Sequence, residues 1–449
     1  MAEAEIDQGQ VPDDIGSSNR ASPESERKRK SALLIVFLVM FIDLLGFGIV
    51  LPLLPRYAKE LIEPLFPGEN NRLYRGLLLG LLMSSFSLMQ FIFAPIWGFL
   101  SDRHGRRPFL LLGLAGSVIF YALFGIASAW AIPDQGREAI GLVLLFIARI
   151  GAGVAGATVS TAQAVIADST EPAKRSRGMA LIGAAFGIGF TFGPLIGTLS
   201  PYLGRGGPGY VASGFSLMAF ILGLSLMPET LRPGQTGAIR SGRNFNDIVM
   251  AIRTPTIGLL ILIFFISTFA FASFEPTVAL VAQDILNYGE KKAYLVFAYI
   301  GLVLMLAQGG LYQLLAKRGM TEIAFMLFGI VFMMLGLGGI GLLVWGEAGN
   351  TSDVSDYLLP GIMVCVTLSV VGFAFTTPSV QALISKRSDP AKQGLILGVN
   401  QSANAVSRVL GPFFGGLLYV LSATHALPYA LAVSLLIMGL ILTLRVSRQ

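Results

Sequence analysis

A chain of 449 residues that is 54% apolar, only 13% charged and of mean hydropathy +0.71 cannot dress its surface for water, so a soluble fold is excluded. Its net charge of +6 sits in short turns between apolar runs, which excludes a basic face for nucleic acid. One cysteine, Cys365, and two histidines, His104 and His425, exclude a disulfide framework and leave no donor set for a metal; no cofactor is expected.

In chain order, residues 1–30 are polar and lack the apolar core of a signal peptide, so they read as a disordered tail. Twelve apolar segments follow, each long enough to cross a hydrocarbon core of ~30 Å as a helix. They run Ser31–Pro55, Gly76–Leu100, Phe109–Trp130, Ala139–Val165, Arg177–Pro201, Gly209–Met227, Thr256–Ala282, Tyr294–Leu315, Glu322–Trp345, Tyr357–Ile384, Gly394–Val420 and Thr424–Leu444. The polar stretch Pro228–Pro255 divides them six and six, giving an N-terminal unit 31–228, a linker 229–255 and a C-terminal unit 256–449.

Lys and Arg number 22 on the side of the N-terminus and 8 on the other, with Arg149 and Arg408 inside spans. That excess puts both termini and the linker in the cytoplasm; for a bacterial chain the inner membrane is the expected location. The halves also repeat. One offset of 218 positions pairs Gln163-Ala-Val-Ile166 with Gln381-Ala-Leu-Ile384, Pro172-Ala-Lys174 with Pro390-Ala-Lys392, and Gly193, Pro194 and Gly197 with Gly411, Pro412 and Gly415. The expected architecture is all-α, two pseudo-symmetric six-helix bundles around a cavity, as alternating access requires.

Between spans two and three, Gly98-Phe-Leu-Ser-Asp102-Arg103-His-Gly105-Arg106-Arg107-Pro108 packs charge into a turn. Asp102 is positioned to accept hydrogen bonds from the N-terminus of a neighbouring helix, whose dipole favours an anion. Gly105 permits the tight turn, and Arg106 and Arg107 are expected to reach Asp168 at the end of helix four as a charge lock. The plainer alternative is that these arginines only anchor topology. Gly151-Ala-Gly153-Val-Ala-Gly156 matches a dinucleotide fingerprint but lies inside a span after no strand, so it reads as helix packing. Gly189, Gly193, Gly197 and Gly411 read the same way, with Pro194 and Pro412 as kinks.

Ionisable groups inside spans cost ~2.5–3.5 kcal/mol on insertion scales and persist where function or pairing compensates. Asp43 and Arg149 both fall near mid-membrane and are expected to pair, either as the proton-coupling couple of the first half or as a static ion pair. Glu275 and Arg408 form the second candidate couple. Asn400, Asn404 and Ser407 follow helical spacing beside Arg408 and read as a wet cavity wall, with interhelical hydrogen bonding as the alternative. Gln163 and Gln381, repeated between the halves, join them as cavity candidates. Asn350-Thr-Ser352 fits a glycosylation acceptor on the outer face.

The chain resembles the major facilitator superfamily. Gly98–Pro108 looks like its loop 2-3 signature, Arg149 with Gly153 like its fourth-helix signature, and Gly189-Phe-Thr-Phe-Gly193-Pro194-Leu-Ile-Gly197 like the fifth-helix signature of its proton-coupled antiporters. Within it, Asp43-Leu-Leu-Gly46-Phe-Gly48 with Pro52 and Pro55, Ala164-Val-Ile-Ala167-Asp168, and Met227-Pro228-Glu229-Thr230 are similar to the tetracycline/proton antiporter branch and its animal relatives. The resemblance implies a twelve-helix carrier, and a loop network that stabilises the outward-facing state. The branch's third-helix aspartate falls on Phe120, and spans eight and nine carry no His or Asp, so a metal-tetracycline site is not expected. The reading is a monomeric secondary transporter, no enzyme, exporting a small amphipathic compound in exchange for protons. A proton-coupled importer is the alternative, and a non-transporting receptor or scaffold a third.

Overall fold

The computed structural model describes residues 23–130, 136–169, 175–230, 255–347, 357–388 and 393–448, with the side chains of 23–32, 167–184, 186, 255 and 393–395 outside the description. The linker core 231–254, the repeat segments at 172–174 and 390–392, and the Asn350 sequon lie outside the described residues, as does the Asp168 side chain. Among the described residues every regular element is helical.

The first half comprises α1 (Pro23–Val50), α2 (Leu54–Leu65), α3 (Arg72–His104), α4 (Arg106–Trp130), α5 (Glu138–Gly156), α6 (Val159–Ser169), α7 (Arg175–Gly197) and α8 (Gly207–Leu226). The second comprises α9 (Pro255–Asp284), α10 (Glu290–Leu306), α11 (Tyr312–Lys317), α12 (Glu322–Gly346), α13 (Leu358–Arg387), α14 (Gln393–Leu421) and α15 (Leu427–Val446). Eleven helical segments are long and apolar enough to cross a membrane among the described residues, and the described apolar part of the 23-residue α7 is Gly187–Gly197. Their outward faces carry Leu81, Ile119, Ile221, Leu342 and Ile441 exposed, a distribution that only lipid accommodates.

Three spans differ from the sequence reading. Helix α1 starts at Pro23 and takes in the last eight positions of the stretch read as a tail, because Glu, Arg and Lys there are good helix formers. After Val50 the chain turns through Leu51–Leu53 and restarts as α2, whose Leu54, Tyr57, Ala58, Leu61 and Ile62 are buried on one stripe with Arg56, Lys59, Glu60 and Glu63 off it. The fourth span breaks at Ala157–Thr158, and the eighth passes through a π-helical turn at Ala307–Leu311 around Gly309 and Gly310.

Packing is pseudo-symmetric. In the first half α1 packs on α7 and α8, α4 on α8 and α5, and α3 on α5. The same pairings recur as α9 on α14 and α15, α12 on α15 and α13, and α10 on α13. Small residues allow this. A Cβ on Gly193 would stand 2.8 Å from Gly48 Cα and 2.9 Å from the Leu45 carbonyl, and one on Gly411 would stand 2.8 Å from Ala272 Cβ and 2.9 Å from the Phe269 carbonyl. Gly151, Gly153 and Gly156 likewise seat Phe120, Phe86 and Gln90, which is the helix-packing role read from sequence. The halves meet along α3 with α14 and α7 with α10.

Candidate functional site

At the end opposite the termini the halves are held shut. Lys59 Nζ donates to Asp284 Oδ1 at 2.6 Å, the Tyr57 hydroxyl donates to Glu290 at 3.0 Å, and Arg56 donates to the Tyr288 carbonyl at 3.3 Å. The buried Tyr294 hydroxyl donates to the Ile49 carbonyl at 2.8 Å, and Gly80 lies under the Phe413 backbone. Within the first half, Arg205 braces Glu60 at 2.5 Å. The amphipathic stripe of α2 is the sequence signal for this closure. Its partners, Asp284 and Glu290, are legible only as loop charges.

Directly beneath the closure lies a small cleft between the halves. Phe47 and Leu51 of α1, Leu54 of α2, Met83, Phe86 and Ser87 of α3 and Arg149 of α5 line it from one half; Ala272, Glu275 and Pro276 of α9 and Arg408 and Pro412 of α14 line it from the other. Helix α3 supplies its wall because the close approach of Gly76 and Gly80 to Leu417 and Phe413 sets α3 directly against α14. Three of the four charges picked from sequence, Arg149, Glu275 and Arg408, therefore share one cleft.

Asp43 is the fourth, and it does not pair with Arg149. It shares a helical stripe with Phe47 and Leu51, one turn nearer the termini, yet its carboxylate leans into the first half. There Ser216 of α8 donates to Oδ1 at 3.1 Å and Ser117 of α4 adds a second hydroxyl. Arg149, almost fully buried, instead lays its guanidinium over the Phe86 ring at 4.7 Å. The expected direct pair is replaced by two serines on one side and an aromatic face on the other. Tyr121, buried on α4, lies within electrostatic reach of both Asp43 and Arg149. None of these four residues carries a sequence signal. Glu275 and Arg408 do act on one another electrostatically.

The expected cavity wall is absent from this cleft: Gln163, Gln381, Asn400, Asn404 and Ser407 do not line it. Ser407 donates across to the Phe265 carbonyl at 3.0 Å, the interhelical role weighed as its alternative, and Asn400 is buried while Gln381 is exposed.

At the signature turn, Arg106 pairs with Asp102 and donates to Ser101, and Arg103 lies over Phe99. The anion on the N-terminus of α4 is Glu229, not Asp102: its carboxylate accepts from the Arg106 and Arg107 amides at 2.9 and 3.1 Å. Asp102 ends α3 on the exposed side and meets its neighbour's guanidinium, whereas Glu229, just after α8, points back along the axis of α4. Gly105 adopts φ +104° at the turn, and the Glu229 carboxylate fills the space a Cβ would take. In the sequence Glu229 stands in the Met227–Thr230 motif without a role. Arg107 also donates to the Leu224 carbonyl at 2.6 Å, tying the turn to the end of α8.

A family model described as Major Facilitator Superfamily matches residues 36–408. The chain belongs to the major facilitator superfamily. It is a multi-pass membrane transporter, a carrier and not an enzyme. The tetracycline resistance protein, class E, of Escherichia coli is 29% identical over 402 residues, covering 88% of each chain. Major facilitator superfamily domain-containing protein 10 of Mus musculus is 26% identical over 451 residues, covering 90% of each. These relatives put the chain in the tetracycline-transporter-like branch. The crystal structure of the human organic anion transporter MFSD10 (TETRAN) superposes with a TM-score of 0.63 at 25% identity, covering 92% of this chain and 99% of that one. The D-xylose-proton symporter shares the fold, with a TM-score of 0.70 at 16% identity over 93% of this chain and 97% of that one.

Proposed function

We propose that this carrier exports a small amphipathic organic compound in exchange for protons, by alternating access of the cleft between residues 31–228 and 256–449. The observation that carries the reading is the placement of Arg149, Glu275 and Arg408 in one largely apolar cleft between the halves, with Asp43 one helical turn away. The closure opposite the termini supports an inward-facing arrangement, since the lysine and arginine excess puts the termini in the cytoplasm. Asp43 is the proton site of the first half, satisfied by Ser216 and Ser117 when ionised and linked to Arg149 through Tyr121. Glu275, held by the field of Arg408, is the acid of the second. Residues 229–255 are the cytoplasmic linker between the rocking halves, and the signature turn, with Asp102, Arg106, Arg107 and Asp168, is the latch at that face. The carrier works as a monomer on the proton gradient alone, without a cofactor. In a bacterial host its membrane is the inner one.

The test is purified protein in liposomes with an imposed pH gradient, against a panel of cationic, anionic, zwitterionic and neutral amphipathic compounds. Compound-induced proton flux out of phase with compound movement is expected. Flux in phase establishes an importer, and no movement of any compound establishes a scaffold.

A further inference from the structure

We propose that the cleft binds a single halide ion, chloride in the cell, held by Arg149 as a bound counter-ion and not as the transported compound. The assignment rests on the geometry of the cleft alone and stands whichever way the carrier runs. Arg149 lines the cleft and is 3% exposed, and its Nε and Nη1 have no hydrogen-bond partner among the described residues. A guanidinium is always charged and carries five donors, so burying it with two nitrogens unsatisfied is costly. Phe86 covers one of its faces at 4.7 Å, but a ring face accepts nothing in the guanidinium plane, where the N–H bonds point. The carboxylates nearby are engaged elsewhere. Asp43, one turn away, accepts from Ser216 and Ser117, and Glu275 on the opposite wall acts with Arg408, which has a further partner of its own.

The space fixes the size of the ion. The cleft holds about 30 Å³, room for one or two bodies the size of a water. Chloride is little larger than a water and fits; sulfate, phosphate and a carboxylate on a carbon skeleton do not. Water fits as well, but it brings no charge, and a buried cation without a counter-charge is costly. Apart from Ser87 and the charges of Arg149, Glu275 and Arg408 the lining is apolar, and a halide gives up its water for such surroundings at less cost than a smaller, more tightly hydrated anion. Asp43 and Glu275 oppose a further negative charge, and the field of Asp43 reaches Tyr121 just as that of Arg149 does, so the ion is held loosely, saturating at roughly millimolar chloride. Bound there, it gives Arg149 the counter-charge that Asp43, turned to its serines, does not.

The experiment is equilibrium binding of radioactive chloride to the full chain in lipid nanodiscs, in gluconate buffer at constant ionic strength, with bromide and sulfate as competitors. About one chloride per chain is expected to bind saturably, displaced by bromide and left in place by sulfate. Bromide soaked into crystals of the unaltered protein is expected to lie, by its anomalous scattering, within hydrogen-bond reach of Arg149. Arg149→Gln is expected to weaken chloride binding about 10-fold or more, the scale of a lost charged hydrogen-bond partner, and Arg149→Lys to weaken it less. No saturable chloride binding, displacement by sulfate as effective as by bromide, bromide lying elsewhere than beside Arg149, or undiminished binding in Arg149→Gln overturns the assignment. The competition and the bromide position decide the matter even where a variant fails to fold. Chloride binding is read with no transported compound present, so its failure leaves the export reading standing, and the failure of export leaves the halide site standing.

Discussion

Asp284→Asn is expected to loosen the closure above the cleft. Asp284 accepts from Lys59 of the other half at 2.6 Å and from the Tyr419 hydroxyl at 3.2 Å. Its side chain is 11% exposed and that of Lys59 23%, so the pair is neither dry nor fully screened. Exposed pairs are worth ~0–1 kcal/mol and breaking a buried one costs ~3–5, which puts this one at about 1–2. Glu63, 3.6 Å from Lys59, offers the ammonium another partner and holds the loss toward the lower figure. At ~1.4 kcal/mol per factor of ten, the outward-open population rises about 5- to 30-fold. The assay is a cysteine at Ser87, which lines the cleft, in a Cys365→Ala background, labelled with an impermeant maleimide from the face opposite the termini. The labelling rate should rise by that factor. A rate unchanged from the parent would refute the reasoning that this pair holds the cleft shut.

Glu229→Ala should lower stability by about 1–2 kcal/mol, because two charge-assisted bonds to the first amides of α4 are lost, read as a drop in the thermal midpoint of purified protein; an unchanged midpoint would make the cap idle. Asp102→Asn should leave protein in the membrane but slow transport severely, since Arg106 loses its carboxylate partner at the latch. Turnover equal to the parent would reduce the turn to a topology anchor. Cysteines placed between 231 and 254 should escape an impermeant reagent in intact cells and react in inverted vesicles; labelling in intact cells would reverse the topology.

The span pattern is legible because hydrocarbon demands long apolar helices, and the six-plus-six division because one polar stretch interrupts them. The 218-residue offset has a structural counterpart: Gly193 and Gly411 pack on equivalent faces of α1 and α9. Depth can also be counted, which is why Arg149, Glu275 and Arg408 stand out in the sequence and share the cleft. Direction cannot. A count along a helix does not say which way a side chain leaves it, so depth alone pairs Asp43 with Arg149 when Ser216 and Ser117 hold it. Of the Asn400–Ser407 stripe, Ser407 satisfies a neighbouring backbone rather than lining the cleft, as a polar residue inside a membrane readily does. Glu229 escapes a sequence reading because its partners are backbone amides, which leave no mark in a sequence.

The central claim is that a proton taken at Asp43 drives the compound through the cleft. It is tested most directly with Asp43→Asn in proteoliposomes, measuring uphill accumulation under a pH gradient beside exchange of labelled for unlabelled compound at equal pH. The substituted amide can accept from Ser216 and Ser117 but cannot release a proton, so accumulation should vanish while exchange between loaded states continues. A variant that still concentrates its compound on the proton gradient would contradict the claim and move the coupling site to Glu275.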